Sequence, residues 1–392
     1  MAVRFLVREV SDLCLGKPAL RPIPITATVA DALAALKRSS ESYVSVWSCD
    51  HSTAKSDCRC VGKICMVDVI CFLCREKNLA NPRSALQAPL SDVLPDAPSI
   101  VLHLEPQSSL LEAIDCILEG AQNLVVPIES TISLTARKQQ SKSASIRATL
   151  HNGRQFCWLS QEDVIRFLLN SIGVFSPIPT FTIGSLNIID TKVTTIYYDA
   201  SAVSTLDSIS RCLIEQKSIG VVDENHKLIG EISPSALASC DETVAAAITT
   251  LSAGDLMTYI DYGDPPENLV QLVKARLEER KLGAMLELLE ELSSTSLFSS
   301  SSCSSDEDSG SNRNNGSGRY SSGRYGRSTE AIVCHPGSSL AAVMIQALAH
   351  RVSYLWVVDD DFCVVGMVTF AGILKVFRSI AGGPKRENVY QQ

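Results

Sequence analysis

Apolar residues recur along the chain in one short block, an alternating strand end that runs into a segment with helical spacing. Four copies read CVGKICMVDVICFL (Cys60 to Leu73), FCWLSQEDVIRFLL (Phe156 to Leu169), LIGEISPSALAS (Leu228 to Ser239) and VVGMVTFAGILKVF (Val364 to Phe377). Ahead of each copy lies a helical period: VADALAALKR (Val29 to Arg38), SLLEAIDCILEG (Ser109 to Gly120), the stretch from Ala200 to Gln216, and SLAAVMIQALAHR (Ser339 to Arg351). Between helix and tail comes a middle strand: YVSVW (Tyr43 to Trp47), NLVVPI (Asn123 to Ile128), SIGVV before an Asp-Glu-Asn-His turn, and YLWVVD (Tyr354 to Asp359). The predicted unit is strand, helix, strand, strand, helix, used four times.

Equivalent tail positions, Asp68, Asp163, Ala236 and Gly372, lie 95, 73 and 136 residues apart. Two insertions account for the unequal spacing: a polar, basic stretch at 129–153 and a longer one at 262–329. Without them the period is about 70 residues. The repeats are expected at 11–76, 89–175, 182–240 and 252–380, the second and fourth carrying the insertions. A unit with one apolar sheet face cannot cover it alone, so the first should pair with the second and the third with the fourth. The Pro- and Gly-containing run from Ser171 to Ser185 suits a linker between the pairs.

The chain has 392 residues, 45% of them hydrophobic and 20% charged, which supports more than one ordinary core. Its formal charge of -8 leaves no basic surplus for phosphate backbones, so nucleic acid is not an expected partner. No apolar run approaches the roughly 18 residues of a membrane span, and the first residues do not resemble a secretory leader. The 14 cysteines are scattered rather than framed. Reduced thiols and a cytoplasmic or nuclear setting are therefore expected.

In the first two tails a small polar residue ends the strand and aspartate follows three positions later, Cys65 to Asp68 and Ser160 to Asp163. Such a pair caps a helix by satisfying its first N–H groups. The same geometry can hold a phosphate at the helix start and a ribose hydroxyl on the carboxylate. Both uses can coexist.

With these tails the chain resembles the CBS-domain family, the small units named after cystathionine beta-synthase, and is similar to the plant four-repeat CBS-domain-containing proteins. The resemblance implies an α+β fold of four CBS repeats (β-α-β-β-α) paired into two Bateman modules, with a disordered Ser/Gly-rich insertion in the fourth repeat. It also implies an adenosine-containing regulatory ligand, AMP, ADP, ATP or S-adenosylmethionine, in the cleft between paired units. Asp68 and Asp163 match the family's ribose position, where the later copies have Ala236 and Gly372. Ser160, Ser233 and Thr369 match the hydroxyl position, held in the first copy by Cys65. Gly62, Gly230 and Gly366 match the glycine, with Trp158 in its place in the second copy. The expectation is a regulatory protein without catalysis or a metal, acting on a protein partner such as a kinase or metabolic enzyme, with a homodimer also compatible. The alternative is a nucleotide-independent scaffold, or a gamma-like subunit of an SNF1-related kinase complex.

Other features are weighed on their residues. Cys49, His51, Cys58 and Cys60 fall within one loop of the first repeat, but their spacing is tighter than usual zinc spacing, and free thiols are the expectation. Cys71 and Cys74 spell Cys-x-x-Cys inside a predicted helix, where core packing is the simpler reading. His103 and His335 sit on first strands that the resemblance places beside the ligand cleft. In the second insertion, Leu269, Val273 and Leu277 share one helical face and Leu282, Met285, Leu286, Leu289 and Leu292 another, with Gly283 between them. Packing on its own domain is expected, against the alternative of partner docking. Ser304 and Ser305, each followed three residues on by an acid, suit an acid-directed kinase, but a solvated spacer is the expectation, since phosphate beside Asp306 to Asp308 would repel rather than order the segment.

Overall fold

The structure, a computed structural model, describes residues 2–38, 42–50, 57–94, 101–128, 151, 154–261, 265–299 and 329–382. His51, Ser304 and Ser305 lie outside them, as do residues 300–328 of the Ser/Gly-rich insertion.

Four three-stranded sheets follow one plan. They comprise β1 (Pro22–Pro24), β2 (Tyr43–Asp50) and β3 (Asp57–Cys65); β4 (Val101–His103), β5 (Asn123–Ile128) and β6 (Gln155–Ser160); β7 (Thr194–Tyr197), β8 (Ile219–Val222) and β9 (Leu228–Ile232); and β10 (Val333–Cys334), β11 (Tyr354–Val358) and β12 (Val364–Thr369). In each the first strand is parallel to the second and the second antiparallel to the third. A parallel pair needs a crossover. The helices Val29–Arg38, Leu110–Leu118, Leu206–Glu215 and Leu340–His350 supply it. In the third repeat the predicted helix starts late, because Ala202–Thr205 forms a 3-10 turn first.

Each third strand runs directly into a helix: Met66–Leu73, Gln161–Asn170, Pro234–Ala238 and Phe370–Ile380. The hairpins of the later repeats close on matching turns. Asp223 Oδ1 accepts from the N–H groups of Asn225 and Lys227 at 2.8 and 2.9 Å, and Asp359 Oδ1 from those of Asp361 and Cys363 at 3.0 and 2.9 Å.

Strand register corrects one sequence assignment. Gly62, Gly230 and Gly366 stand opposite Val46, Val221 and Val357, and the residue opposite the matching Val126 is Cys157, not Trp158. Trp158 instead shares the next position with Lys63, Glu231 and Met367, facing across the sheets.

Sheets pair within modules and helices pair between them. Trp47, Cys58 and Cys60 of the first repeat bury against Val101, Val125, Phe156 and Trp158 of the second. Tyr354, Trp356 and Met367 of the fourth close on Val193 and Leu228 of the third. A larger core joins the first and third repeats through helix Met66–Leu73 and helices Leu206–Glu215 and Pro234–Ala238. Another joins the second and fourth, with Phe370–Ile380 laid on Leu110–Leu118 and Gln161–Asn170. The four lobes thus form a closed ring in the order first, second, fourth, third.

Two expected boundaries divide segments that pack elsewhere. Helix Ser11–Cys14 lies on β5, β6 and helix Gln161–Asn170 of the second repeat, not on the first. Helix Ala253–Asp261 lies on β9 of the third repeat, where Met257 meets the bare face of Gly230. Helices Glu267–Glu279 and Gly283–Ser299 form an antiparallel pair whose Leu269, Val273, Leu277, Met285 and Leu289 enter the core of the first and third repeats. That apolar face is spent within the chain. Thr329 ties the insertion shut: its N–H and Oγ1 both donate to the Asp261 carboxylate at 2.7 Å. Among the described residues no helix is long and apolar enough to cross a membrane.

Candidate functional site

All four tail residues act first as helix caps. Ser160 Oγ, Ser233 Oγ and Thr369 Oγ1 accept from the backbone N–H three residues on, at 3.3, 3.1 and 3.1 Å. Cys65 donates its backbone N–H to Asp68 Oδ2 at 2.7 Å, and Ser160 donates likewise to Asp163 Oδ2 at 2.8 Å. These bonds satisfy N–H groups that a helix start leaves without partners.

The two aspartates part company beyond the cap. Asp163 Oδ2 also takes the Ser160 hydroxyl at 2.7 Å and stands 2.6 Å from Lys17 Nζ, so one oxygen carries three donors. Lys17 arrives on the N-terminal segment that lies across the second repeat.

Asp68 instead lines a cavity of about 410 Å3 between the first repeat and helix Leu206–Glu215 of the third. Phe72, Cys71 and Arg75 extend the wall along the same helix, Leu94 and Ser91 close one side, and Ser210 and Leu213 face them. Arg75 stacks over the Phe72 ring at 5.0 Å and donates to Asp92 O at 3.3 Å. Burial pushes the Asp68 carboxyl above its ordinary value, partly offset by the Cys65 bonds and the Lys63 charge. Asp163 does not line this cavity, so the structure does not bring the two aspartates together. The cavity lies between modules rather than in the seam of one pair, because helix starts face the neighbouring module's helices.

Within the modules, polar side chains meet across the seams. In the first, Lys63 donates to Asn123 Oδ1 at 2.6 Å and sits 5.1 Å from the Tyr43 ring centre. In the second, Glu231 is 3% exposed and accepts from Tyr354 Oη at 2.7 Å and Trp356 Nε1 at 2.6 Å. Ser233 and Thr369, both at helix starts there, have Ala236 and Gly372 in place of a carboxylate. Neither Glu231 nor Lys63 is singled out by the sequence, although a charge inside an apolar third strand was the available signal.

The two histidines are structural. His103 Nε2 accepts from the Cys60 N–H at 3.1 Å between aromatic rings, and His335 Nδ1 lies 3.1 Å from Val358 O. Cys71 borders the cavity with its thiol pushed up to about 11 by burial, and Cys74 donates to Ala245 O at 3.6 Å. Their helix packs them for a core, not for thiolate chemistry. Cys60 faces its own strand, donating to Gly62 O at 3.4 Å.

The CBS domain model matches residues 327–379. Over 388 residues the chain is 49% identical to the CBS domain-containing protein CBSX5 of Arabidopsis thaliana, spanning 96% of this chain and 98% of that one. It is 21% identical over 412 residues to the SNF1-related protein kinase regulatory subunit gamma-like PV42b of the same plant, covering 97% and 98% of the two chains. Among solved structures, protein MJ1225 of Methanocaldococcus jannaschii shares the fold. Its TM-score is 0.55 at 15% identity, over 94% of this chain and all of that one.

Proposed function

The chain belongs to the CBS domain-containing proteins, and from that premise we propose that it is a non-catalytic regulatory protein whose adenosine-containing ligand seats at Asp68. The cavity carries this reading. Its volume of about 410 Å3 suits a small ligand. Asp68 offers a carboxylate for ribose hydroxyls, Phe72, Leu94 and Leu213 offer apolar walls for a base, and Arg75 offers a cation for phosphate. Because its walls come from both modules, a ligand there favours one packing of the ring over another and can bias a bound partner only by that preference. The name of PV42b supports a protein kinase as the class of partner.

Calorimetry of the full chain with AMP, ADP, ATP and S-adenosylmethionine tests the reading. Binding of at least one, weakened tenfold or more in Asp68→Ala and unchanged in Asp163→Ala, is expected. No heat with any of the four, or binding indifferent to Asp68, rejects it.

The buried Glu231–Tyr354–Trp356 network across the seam of the second module favours one further role, a fixed platform for protein contacts. A partner recovered in equal amounts with and without nucleotide would place the weight on that scaffold role.

A further inference from the structure

Strands β2 and β3 of the first repeat run on past β1, and there Cys49 and Cys58 stand directly opposite each other. His151, which lies 102 residues from Cys49 in sequence, stands at the same point. Cys49 Sγ and His151 Nδ1 are 3.4 Å apart, and the ligand atoms of Cys49, Cys58 and His151 all lie within 4.8 Å of one another. A tetrahedral zinc with Zn–S of about 2.3 Å and Zn–N of about 2.0 Å sets its S–N edge near 3.5 Å. The pair is already at that spacing.

The surroundings fix the ring. His151 stacks on the indole of Trp47 with centroids 3.8 Å apart and planes 6° from parallel, and Trp47 Nε1 is tied to Ser45 Oγ at 2.9 Å. A ligand held in one orientation by its neighbours gains metal affinity. Cys58 and His151 are buried while Cys49 is exposed, which leaves an entry path from solvent. Cys60 is turned away to Gly62 O, so the sequence pattern of four loop ligands becomes a different set of three.

We propose that Cys49, Cys58 and His151 form a zinc site that joins the second repeat to strands β2 and β3 of the first. Two thiolates cancel the dication's charge, each cysteine giving up its proton to solvent on binding. Two sulfurs and an imidazole suit Zn2+ over oxygen-seeking Mg2+ or Ca2+. The fourth position remains for water or an outside ligand, as in other three-ligand zinc sites.

The test uses the full reduced chain, stripped by a chelator, reloaded with Zn2+, and counted by elemental mass spectrometry. About one zinc per chain is expected. It should fall at least tenfold in Cys49→Ser and His151→Ala, and stay unchanged in Cys363→Ser, a thiol on the fourth repeat. Cys49→His, which restores a nitrogen ligand at an exposed position, should recover the metal without disturbing the fold. Co2+ in place of zinc should show thiolate charge-transfer absorption that Cys49→Ser removes. The proposal is overturned by a folded wild type that takes up no zinc, or by zinc retained in both single variants. A Cys49–Cys58 disulfide in thiol-blocked protein, or uptake of Cu+ but not Zn2+, overturns it equally.

Discussion

Tyr354 donates its hydroxyl to Glu231 at 2.7 Å across the seam of the third and fourth repeats, where both side chains are buried. Burial raises the Glu231 carboxyl above its ordinary 4.5, and the Tyr354 and Trp356 bonds oppose that rise without cancelling it. The folded chain therefore binds this proton more tightly than the unfolded one. Its stabilising effect is full in acid and is lost as pH climbs from 4.5 through the raised folded value. Glu231→Gln removes the titration. The thermal midpoint of the variant minus that of wild type should increase with pH across that window, read by circular dichroism. A constant difference would mean that Glu231 does not titrate within the seam.

Tyr354→Phe isolates the hydrogen bond from the charge. It removes one of the donors on a buried carboxylate, Trp356 remaining, and losing such a partner costs about 1–3 kcal/mol. Urea unfolding should show that loss, and it should shrink in a Glu231→Gln background, because a neutral amide needs the donor less. Equal losses in both backgrounds would assign the effect to packing.

Ser210 gives a way to test the cavity without touching its carboxylate. The residue is exposed on helix Leu206–Glu215 and faces Asp68 across about 410 Å3. Ser210→Trp should fill that space, weakening nucleotide binding in calorimetry by tenfold or more. Because the position is exposed, stability should stay within about 0.5 kcal/mol of wild type. Unchanged affinity would move the ligand elsewhere.

Much of this architecture was legible because local signals repeat. Helix Val29–Arg38 and strand Asn123–Ile128 fall where the apolar periods put them, and the helical periods read from Ser109 and Ser339 start on residues that cap their helices. Pairing of the sheets followed from one uncovered apolar face per unit. What could not be read is contact across long separations. Nothing near Asp163 announces Lys17, nothing near Cys49 announces His151, and nothing near Asp261 announces Thr329, since each partner is delivered by a segment that crosses to another repeat. The slip at Trp158 has the same origin: a one-residue register is fixed by the strand opposite, Val126 against Cys157, not by the spelling of the motif.

The motif glycine itself yields the last prediction. At Gly366 an added Cβ would stand 2.6 Å from the carbonyl oxygen of Asp190 and 2.8 Å from Ile189. That carbonyl cannot swing aside, for it accepts from the Met367 N–H at 2.9 Å while Asp190 N–H donates to Met367 O at 2.8 Å. The segment at 188–190, bridged to β12 through Asp190 and Met367, therefore lies against it only while position 366 is bare. Gly366→Ala should cost about 1–3 kcal/mol, the usual range for overpacking, in urea unfolding. The matching position of the second repeat tolerates a side chain: Cys157 is fully buried there, beside Cys14 of the N-terminal segment. Cys157→Ala should thus lose stability through a missing contact, whereas Gly366→Ala loses it through a clash. If Gly366→Ala is as stable as wild type, the segment at 188–190 is not held by that close approach.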